Sequence, residues 1–517
     1  MHFQSLLAVL SLLFVAVIGD GISYPRPNIY VKSPHFSLKV NGEYMYTVNY
    51  AKYDYVHFSM DEDVDNEIRI RAVTEDKINS YRISPENVPI KARVEGNELI
   101  FTIKKAHYLI IKINKKKEFV VMADPKETNV PSPRGSGIFN VLDHGADNTG
   151  ARVTRGVQAA LDAAGRQPGS IVYVPAGLYL VGNLVIPTKT SLYLAGGSVL
   201  RFTGNQADYK QLFSKSDFPG HFGTWWIQTA FDSTDIKVFG RGTIDGNGKN
   251  SRTNKIIADL LVPAGTTRFR ADGILIRDAS FWAVPIIQCE DVVLTNIKIL
   301  DRFDVTQNDG IDVMESKGVK VRRAIAIAND DSFSTKTWPY KTGTTVPYPY
   351  PPQPQSDVLF EDCFAWTLCY GFKVGQGVHE VQDNVRFRNS VVYYGGVGIG
   401  IHHLFGTSVA KNILFENIII EDLGGSPGGR ATWLAIHIAE GGRGVGPVED
   451  VTVRNIYARK IGKRDGYIQG FSADAMVKRV TLSDVFIYKN TTAATSLGAM
   501  NIKQTQFSEG IQIRNSR

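Results

Sequence analysis

From Asp291 onward the chain repeats one pattern, a turn-forming residue followed by alternating apolar and polar positions. Segments of this form begin at Asp291, Gly318, Asp357, Asn384, Asn412, Asp450 and Arg479, at intervals of 27 to 39 residues. Each run is too short to bury a face alone. Self-similarity at such a period predicts a solenoid whose coils stack at the sheet spacing of roughly 4.8 Å and share one apolar interior. A second set of strands is interleaved with the first: Val284 to Gln288, Ile311 to Glu315, Ser332 to Thr335, Phe372 to Gly375, Gly398 to His402 and Leu434 to Ile438.

Earlier segments have other textures. Alternating runs such as Phe36 to Val40, Glu67 to Arg71, Leu99 to Ile103 and Tyr108 to Ile111 are separated by turns such as Asn41-Gly42, with no repeat linking them. They predict a small antiparallel β-sandwich. Between Arg155 and Ala164 the apolar residues Val157, Ala160, Leu161 and Ala164 recur at helical spacing, as expected of a cap over the open first coil. The first residues carry a continuous apolar core from Leu6 to Ile18, with small residues before Asp20 and no Lys or Arg at the start. They read as a signal peptide. The expected organisation is residues 1–19 signal peptide, 20–125 β-sandwich, 126–137 polar linker and 138–517 solenoid.

Composition narrows the function classes. Three cysteines in 517 residues, Cys289, Cys363 and Cys369, exclude a disulfide scaffold and suit no zinc site; one bridge, Cys363 to Cys369, competes with buried free thiols. The net charge of +7 is mild, and no basic surface interleaved with stacking aromatics is apparent, so a nucleic-acid partner is not expected. No later segment reaches 18 apolar residues, so no membrane partner is expected either. A secreted, monomeric protein follows, with Asn490-Thr491-Thr492 as its glycosylation sequon.

The chemistry-bearing positions are Asn308-Asp309-Gly310 and Asn329-Asp330-Asp331, which precede two consecutive members of the second strand set. Asn-Asp turns serve local hydrogen bonding in many solenoid corners. Here stacking places Asp309 and Asp330 in equivalent turns, with Asp331 one residue on. Three carboxylates then crowd one face, at an electrostatic cost that capping alone does not require. The insertion from Trp338 to Gln355 adds Trp338, Tyr340, Tyr348 and Tyr350, stiffened by prolines, as a sugar-stacking surface or as a loop packed onto the solenoid.

Together with Phe139-Asn140-Val141, Val174-Pro175-Ala176-Gly177-Leu178-Tyr179 and Gly242-Thr243-Ile244-Asp245-Gly246, these motifs resemble the right-handed parallel β-helix glycoside hydrolases of the clan joining polygalacturonases (family 28) with dextranases and isopullulanases (family 49). The resemblance covers about residues 138 to 507. It implies an all-β fold, a right-handed parallel β-helix behind the sandwich, and a secreted enzyme of inverting mechanism acting on a cell-wall or related polysaccharide. Asp330 would be the acid, Asp309 and Asp331 would hold and deprotonate the water, and no cofactor or metal would be needed. Two polygalacturonase motifs are replaced. Cys369-Tyr370-Gly371-Phe372-Lys373 stands where that family has Gly-His-Gly, and Gly398-Ile399-Gly400-Ile401-His402 where it has the Arg-Ile-Lys strand that grips a galacturonate carboxylate. Lys336, Trp338, Tyr370, Lys373 and His402 are therefore the expected substrate-binding residues, with His403 and His437 nearby. A Ca²⁺-dependent β-helix lyase and a non-catalytic glycan-binding solenoid remain the alternatives.

Overall fold

The computed structural model describes residues 19–339, 347–424 and 431–516. The apolar stretch expected to be a signal peptide, Leu6 to Ile18, and Tyr340 lie outside the described residues. The chain forms two compact units, one of residues 1–24, 32–83 and 89–126, the other of residues 25–31, 84–88 and 127–517.

The first unit is a sandwich of a five-stranded and a six-stranded sheet. Phe36–Val40 pairs antiparallel with Asn66–Ala72, which pairs antiparallel with Glu98–Ile103. Their alternate residues Phe36, Leu38, Ile68, Ile70 and Phe101 bury against Phe58, Leu109, Ile111, Phe119 and Val121 of the other sheet. One pair departs from the antiparallel expectation: Glu118–Pro125 runs parallel to Tyr53–Met60.

The second unit is a continuous parallel solenoid from Ile138 to Ile513, with sheets of 20, eight and three strands. Helix Thr154–Gly165 buries Val157, Ala160, Leu161 and Ala164 against Ile138–Asn140, Ile171–Val174 and Leu184–Ile186, closing the first coil as its periodicity predicts. The repeat itself has a backbone cause. Asp291, Gly318, Asp357, Asn384, Asn412, Asp450 and Arg479 all sit at φ between 53° and 68°. Left-handed backbone favours Gly, Asn and Asp, whose short or absent side chains meet the least steric penalty there. A second row of such corners, Asn296, Arg323, Asp362, Asn389, Asn417, Asn455 and Asp484, follows five residues behind the first. At these corners Asn455 Nδ2 donates to Asn417 at 2.7 Å and Asn417 Nδ2 to Asn389 at 2.8 Å. Polar corners thereby satisfy one another from coil to coil while the strands between them bury Phe360, Phe387 and Phe415, whose rings stack at 5.1 and 5.2 Å.

The eight-stranded sheet carries the second strand set, and its members are labelled in chain order: β1 (Val284–Ile287), β2 (Ile311–Met314), β3 (Phe333–Thr337), β4 (Tyr370–Val378), β5 (Val397–Phe405), β6 (Thr432–Ile438), β7 (Gly466–Gln469) and β8 (Ile502–Gln504). Register runs Ile311, Phe333, Phe372, Ile399, Leu434 across β2 to β6, so the apolar alternates point inward and the positions between them outward. All three cysteines are free. Within the long insertion, Tyr348 is buried beside Trp225, Trp282 and Met314, and the Tyr350 hydroxyl donates to Asp232. These two aromatics pack on the solenoid.

The stacked phenylalanines set a stability test. Phe387→Ala removes the middle ring of a fully buried column and is expected to cost about 3 to 5 kcal/mol, seen as a lower urea midpoint with an unchanged far-ultraviolet spectrum before the transition. A loss below about 1 kcal/mol would show that the column relaxes around the gap.

Candidate active site

The turns before β2 and β3 bring the predicted carboxylates together, but in a register one residue from expectation. Gly310 N–H donates to the Asp331 carbonyl and Ile311 N–H to that of Ser332. This parallel pattern sets Asp309 level with Asp331, and Asp330 one position outside the row. Asn308 and Asn329 are structural: Asn308 accepts from the Asn329 N–H at 2.7 Å and donates to the Arg302 carbonyl, while Asn329 donates to the Phe303 carbonyl. They tie the two turns together.

Two lysines read from sequence as substrate clamps are turned onto carboxylates instead. Lys336 Nζ lies 2.6 Å from Asp309 and 3.0 Å from Asp312, over the Trp282 ring at 4.6 Å, and its side chain is 4% exposed. Lys373 Nζ lies 2.7 Å from Asp331 and is 2% exposed. A lysine's sequence position shows a cation but not its partner, and here both ammoniums are engaged within the protein. Asp312, absent from the sequence prediction, follows Asp309 by three residues and points outward from β2, where Ser334 of β3 also donates to it.

Charge counting then fixes the protonation pattern. Two ammoniums face the four carboxyls of the cluster, while burial holds a fifth, Asp259 beside Asp312 and Asp309, toward its neutral form, and two uncompensated anions cannot remain in a site this dry. Burial first, then Asp309 and Asp331, pushes Asp330 up to about 7; Lys373 opposes. Burial pushes Asp312 up to about 8 against Lys336, with Asp309 adding to the rise. Burial also raises Asp309, opposed by Lys336. For Lys336, burial alone would favour the neutral amine, but Asp309, Asp312 and Asp331 reverse this and hold it charged. We place the paired negative charge on Asp309, whose contact with Lys336 is the shorter. The cluster thus pairs Asp309 with Lys336 and Asp331 with Lys373, and at mildly acidic pH it keeps protons on Asp330 and Asp312.

Asp330, Asp331 and Cys369 could offer ligand atoms within 4.8 Å of one another. The Cys369 thiol is pushed well above its ordinary value by burial, then by Asp331 and Asp330, and donates to Asp330. A neutral thiol and an ammonium already seated on Asp331 make a poor cage for Ca²⁺, which takes six to eight oxygens.

Beyond β3 the sheet's outer face becomes aromatic. Tyr370 is buried; His402 stacks on His437 at 4.2 Å, and His437 meets Tyr467 edge-on at 5.0 Å. Burial lowers His402 well below its ordinary value and His437 to about 4. Both imidazoles are neutral, so His402 offers a ring face rather than a charge. Gly400 is part of the same design, because a Cβ there would lie 2.2 Å from the Ala435 carbonyl and 2.9 Å from the Tyr370 ring. Trp338 is half-buried against Phe405 at 5.7 Å, and its backbone N–H donates to the Tyr348 hydroxyl.

Residues 171–349 match the family model described as glycosyl hydrolases family 28, a stretch that contains the three aspartates and ends before Tyr370 and Gly400. The chain is 21% identical over 405 residues to the exo-poly-alpha-D-galacturonosidase of Dickeya chrysanthemi, covering 66% of this chain and 64% of that protein. It spans just under two thirds of that relative and about half, 52%, of an exopolygalacturonase of Zea mays. Among solved structures, the family 28 exopolygalacturonase of Yersinia enterocolitica superposes with a TM-score of 0.57 at 15% identity, over 86% of this chain and 96% of that one. Dex49A from Penicillium minioluteum superposes at 0.51 and 12% identity, over 95% and 96%. The chain is thus similar in sequence to family 28 and shares its parallel β-helix fold.

The proton on Asp312 has a measurable signature. An unfolded Asp titrates near pH 4, whereas folded Asp312 keeps its proton up to about 8. Its stabilising contribution is complete below about pH 4 and is lost as pH rises through about 8. Asp312→Asn mimics the neutral acid, so its urea midpoint relative to wild type is expected to climb across that window. A difference independent of pH would place the proton elsewhere.

Proposed function

We propose that this protein is a secreted, inverting glycoside hydrolase that cleaves a galacturonan-type polysaccharide. The observation that carries the reading is the carboxyl cluster, in which Asp330 stays protonated toward pH 7 beside Asp309 and Asp331, each in short contact with a buried lysine. Inversion needs one carboxyl to protonate the leaving oxygen while another activates water on the opposite face of the sugar. Crowded carboxyls supply such an acid by raising one member's pKa. Asp330 takes the acid role; Asp309 and Asp331 orient and deprotonate the water. Lys336 and Lys373 are positioning residues, fixing the two carboxylates by short charge-assisted bonds. Family 28 similarity and the galacturonan-acting names of the relatives support the substrate class. The apolar leader and the exposed Asn490 support secretion and glycosylation. No helix among the described residues is long and apolar enough to cross a membrane.

A neutral-glucan substrate, as in the dextranase branch, is the second reading. Tyr370 over Gly400 favours it, because that ring covers a position of the strand that stands in place of Arg-Ile-Lys and leaves no room there for a side chain.

Asp330→Asn keeps size and removes the proton donor. With polygalacturonate and reducing-end detection, kcat is expected to fall by at least about 10² while binding persists. In the wild type, kcat/KM is expected to decline as pH rises through about 7, where Asp330 loses its proton. Near-normal turnover by the variant would remove Asp330 from the acid role.

A further inference from the structure

We propose that Arg464 is the carboxylate anchor of this groove, binding a uronate of the sugar chain several rings from the cleavage point. The inference rests on the galacturonan reading above and supplies what the replaced Arg-Ile-Lys strand leaves missing.

Register places the residue. Asp309 is level with Asp331, Ser332 N–H donates to the Tyr370 carbonyl, Tyr370 pairs with Val397, and Val397 pairs with Thr432. Arg464 N–H donates to the Ala431 carbonyl at 2.9 Å, and Tyr467, three residues on, pairs in parallel with Ala435, so Arg464 lies beside Thr432 in the bend that follows the antiparallel bridge of Thr432 to Gly462. One row across the sheet therefore runs Asp309, Asp331, Tyr370, Val397, Thr432, Arg464. Four strand spacings separate Asp331 from Arg464, about 19 Å. An extended sugar chain laid along the row from Asp330 would pass over Tyr370 and reach Arg464.

The side chain suits the task. Its guanidinium lies 4.5 Å from the centre of the Tyr467 ring, half-buried, on an aromatic platform that includes His437. Stacking on an aromatic face orients a guanidinium and leaves its in-plane N–H fork for a carboxylate. Among the described residues no carboxylate forms an ion pair with Arg464, whereas Lys336 and Lys373 are both engaged. The field of Arg464 reaches His437 and helps keep that imidazole neutral, so the groove's charge at this end is the guanidinium's own.

The test separates this proposal from the function it rests on. Oligogalacturonate binding is measured by calorimetry on the full chain carrying Asp330→Asn, with and without Arg464→Gln, and hydrolysis is followed in Arg464→Gln alone. Loss of a charge-assisted pair is expected to weaken binding about tenfold to a hundredfold and to raise KM comparably, with kcat within about threefold of wild type. Arg464→Lys, which keeps the charge but not the fork, is expected to fall between the two. Carboxyl-reduced oligosaccharide should bind the arginine and glutamine forms equally, and added salt should weaken only the acidic ligand, a comparison that needs no variant at position 464. If wild type cleaves polygalacturonate and Arg464→Gln keeps its KM, the anchor is refuted and the function stands. If the Asp330→Asn protein binds acidic and reduced oligosaccharides alike at low salt, the anchor is refuted whatever substrate the enzyme cleaves.

Discussion

Two ammoniums for four buried carboxyls is the constraint around which the candidate site is built. Lys336 and Lys373 each neutralise one carboxylate at 2.6 to 2.7 Å, and the remaining two carboxyls, Asp330 and Asp312, are left to hold protons. A third lysine would have ionised Asp330 and removed the acid. One lysine fewer would have left a third carboxyl to take up a proton and the site with one carboxylate instead of two. The balance also assigns different jobs to chemically identical groups. Asp330 lies outside the row of Asp309 and Asp331 and is less buried than either, whereas Asp312 sits behind Lys336, sealed from solvent.

That arrangement depends on coils stacking in strict register, which the corners secure. Asn, Asp and Gly in left-handed backbone recur in two rows, and their side chains bond from coil to coil. Because the corner residues are the ones that mark the repeat, the solenoid was legible in the sequence. The helical cap was legible for the same reason, since helical spacing and burial coincide at Val157, Ala160, Leu161 and Ala164.

The site was legible in part. Asn308-Asp309 and Asn329-Asp330-Asp331 announce carboxylates on consecutive coils, but local motifs do not fix inter-coil register, so Asp309 aligned with the wrong member of the pair. The lysines and His402 were read as substrate ligands because sequence displays a residue's charge without its burial or its partner. Asp312 and Cys369 were missed although alternation from inward-facing Ile311 puts Asp312 on the outer face. A rule that inspects outward positions next to a motif would have found it. Arg464 carries no motif, and only register shows that it shares a row with Asp331.

Tyr370 and Gly400 are best understood as one substitution. A Cβ at position 400 would meet the Ala435 carbonyl at 2.2 Å, and the Tyr370 ring fills the space above. An arginine at 400 is therefore incompatible with tyrosine at 370 unless strand β6 moves away, and such movement would break the stacking on which the carboxyl cluster depends. A groove committed to a stacking floor beside its acid must recognise substrate charge from a different coil or not at all. Among the rows that leave the cluster, the one through Asp309 and Asp331 ends on a guanidinium already oriented by Tyr467. On the galacturonan reading, recognition of substrate charge moves along the solenoid, a change that a stack of equivalent coils accommodates without altering the geometry of the aspartates.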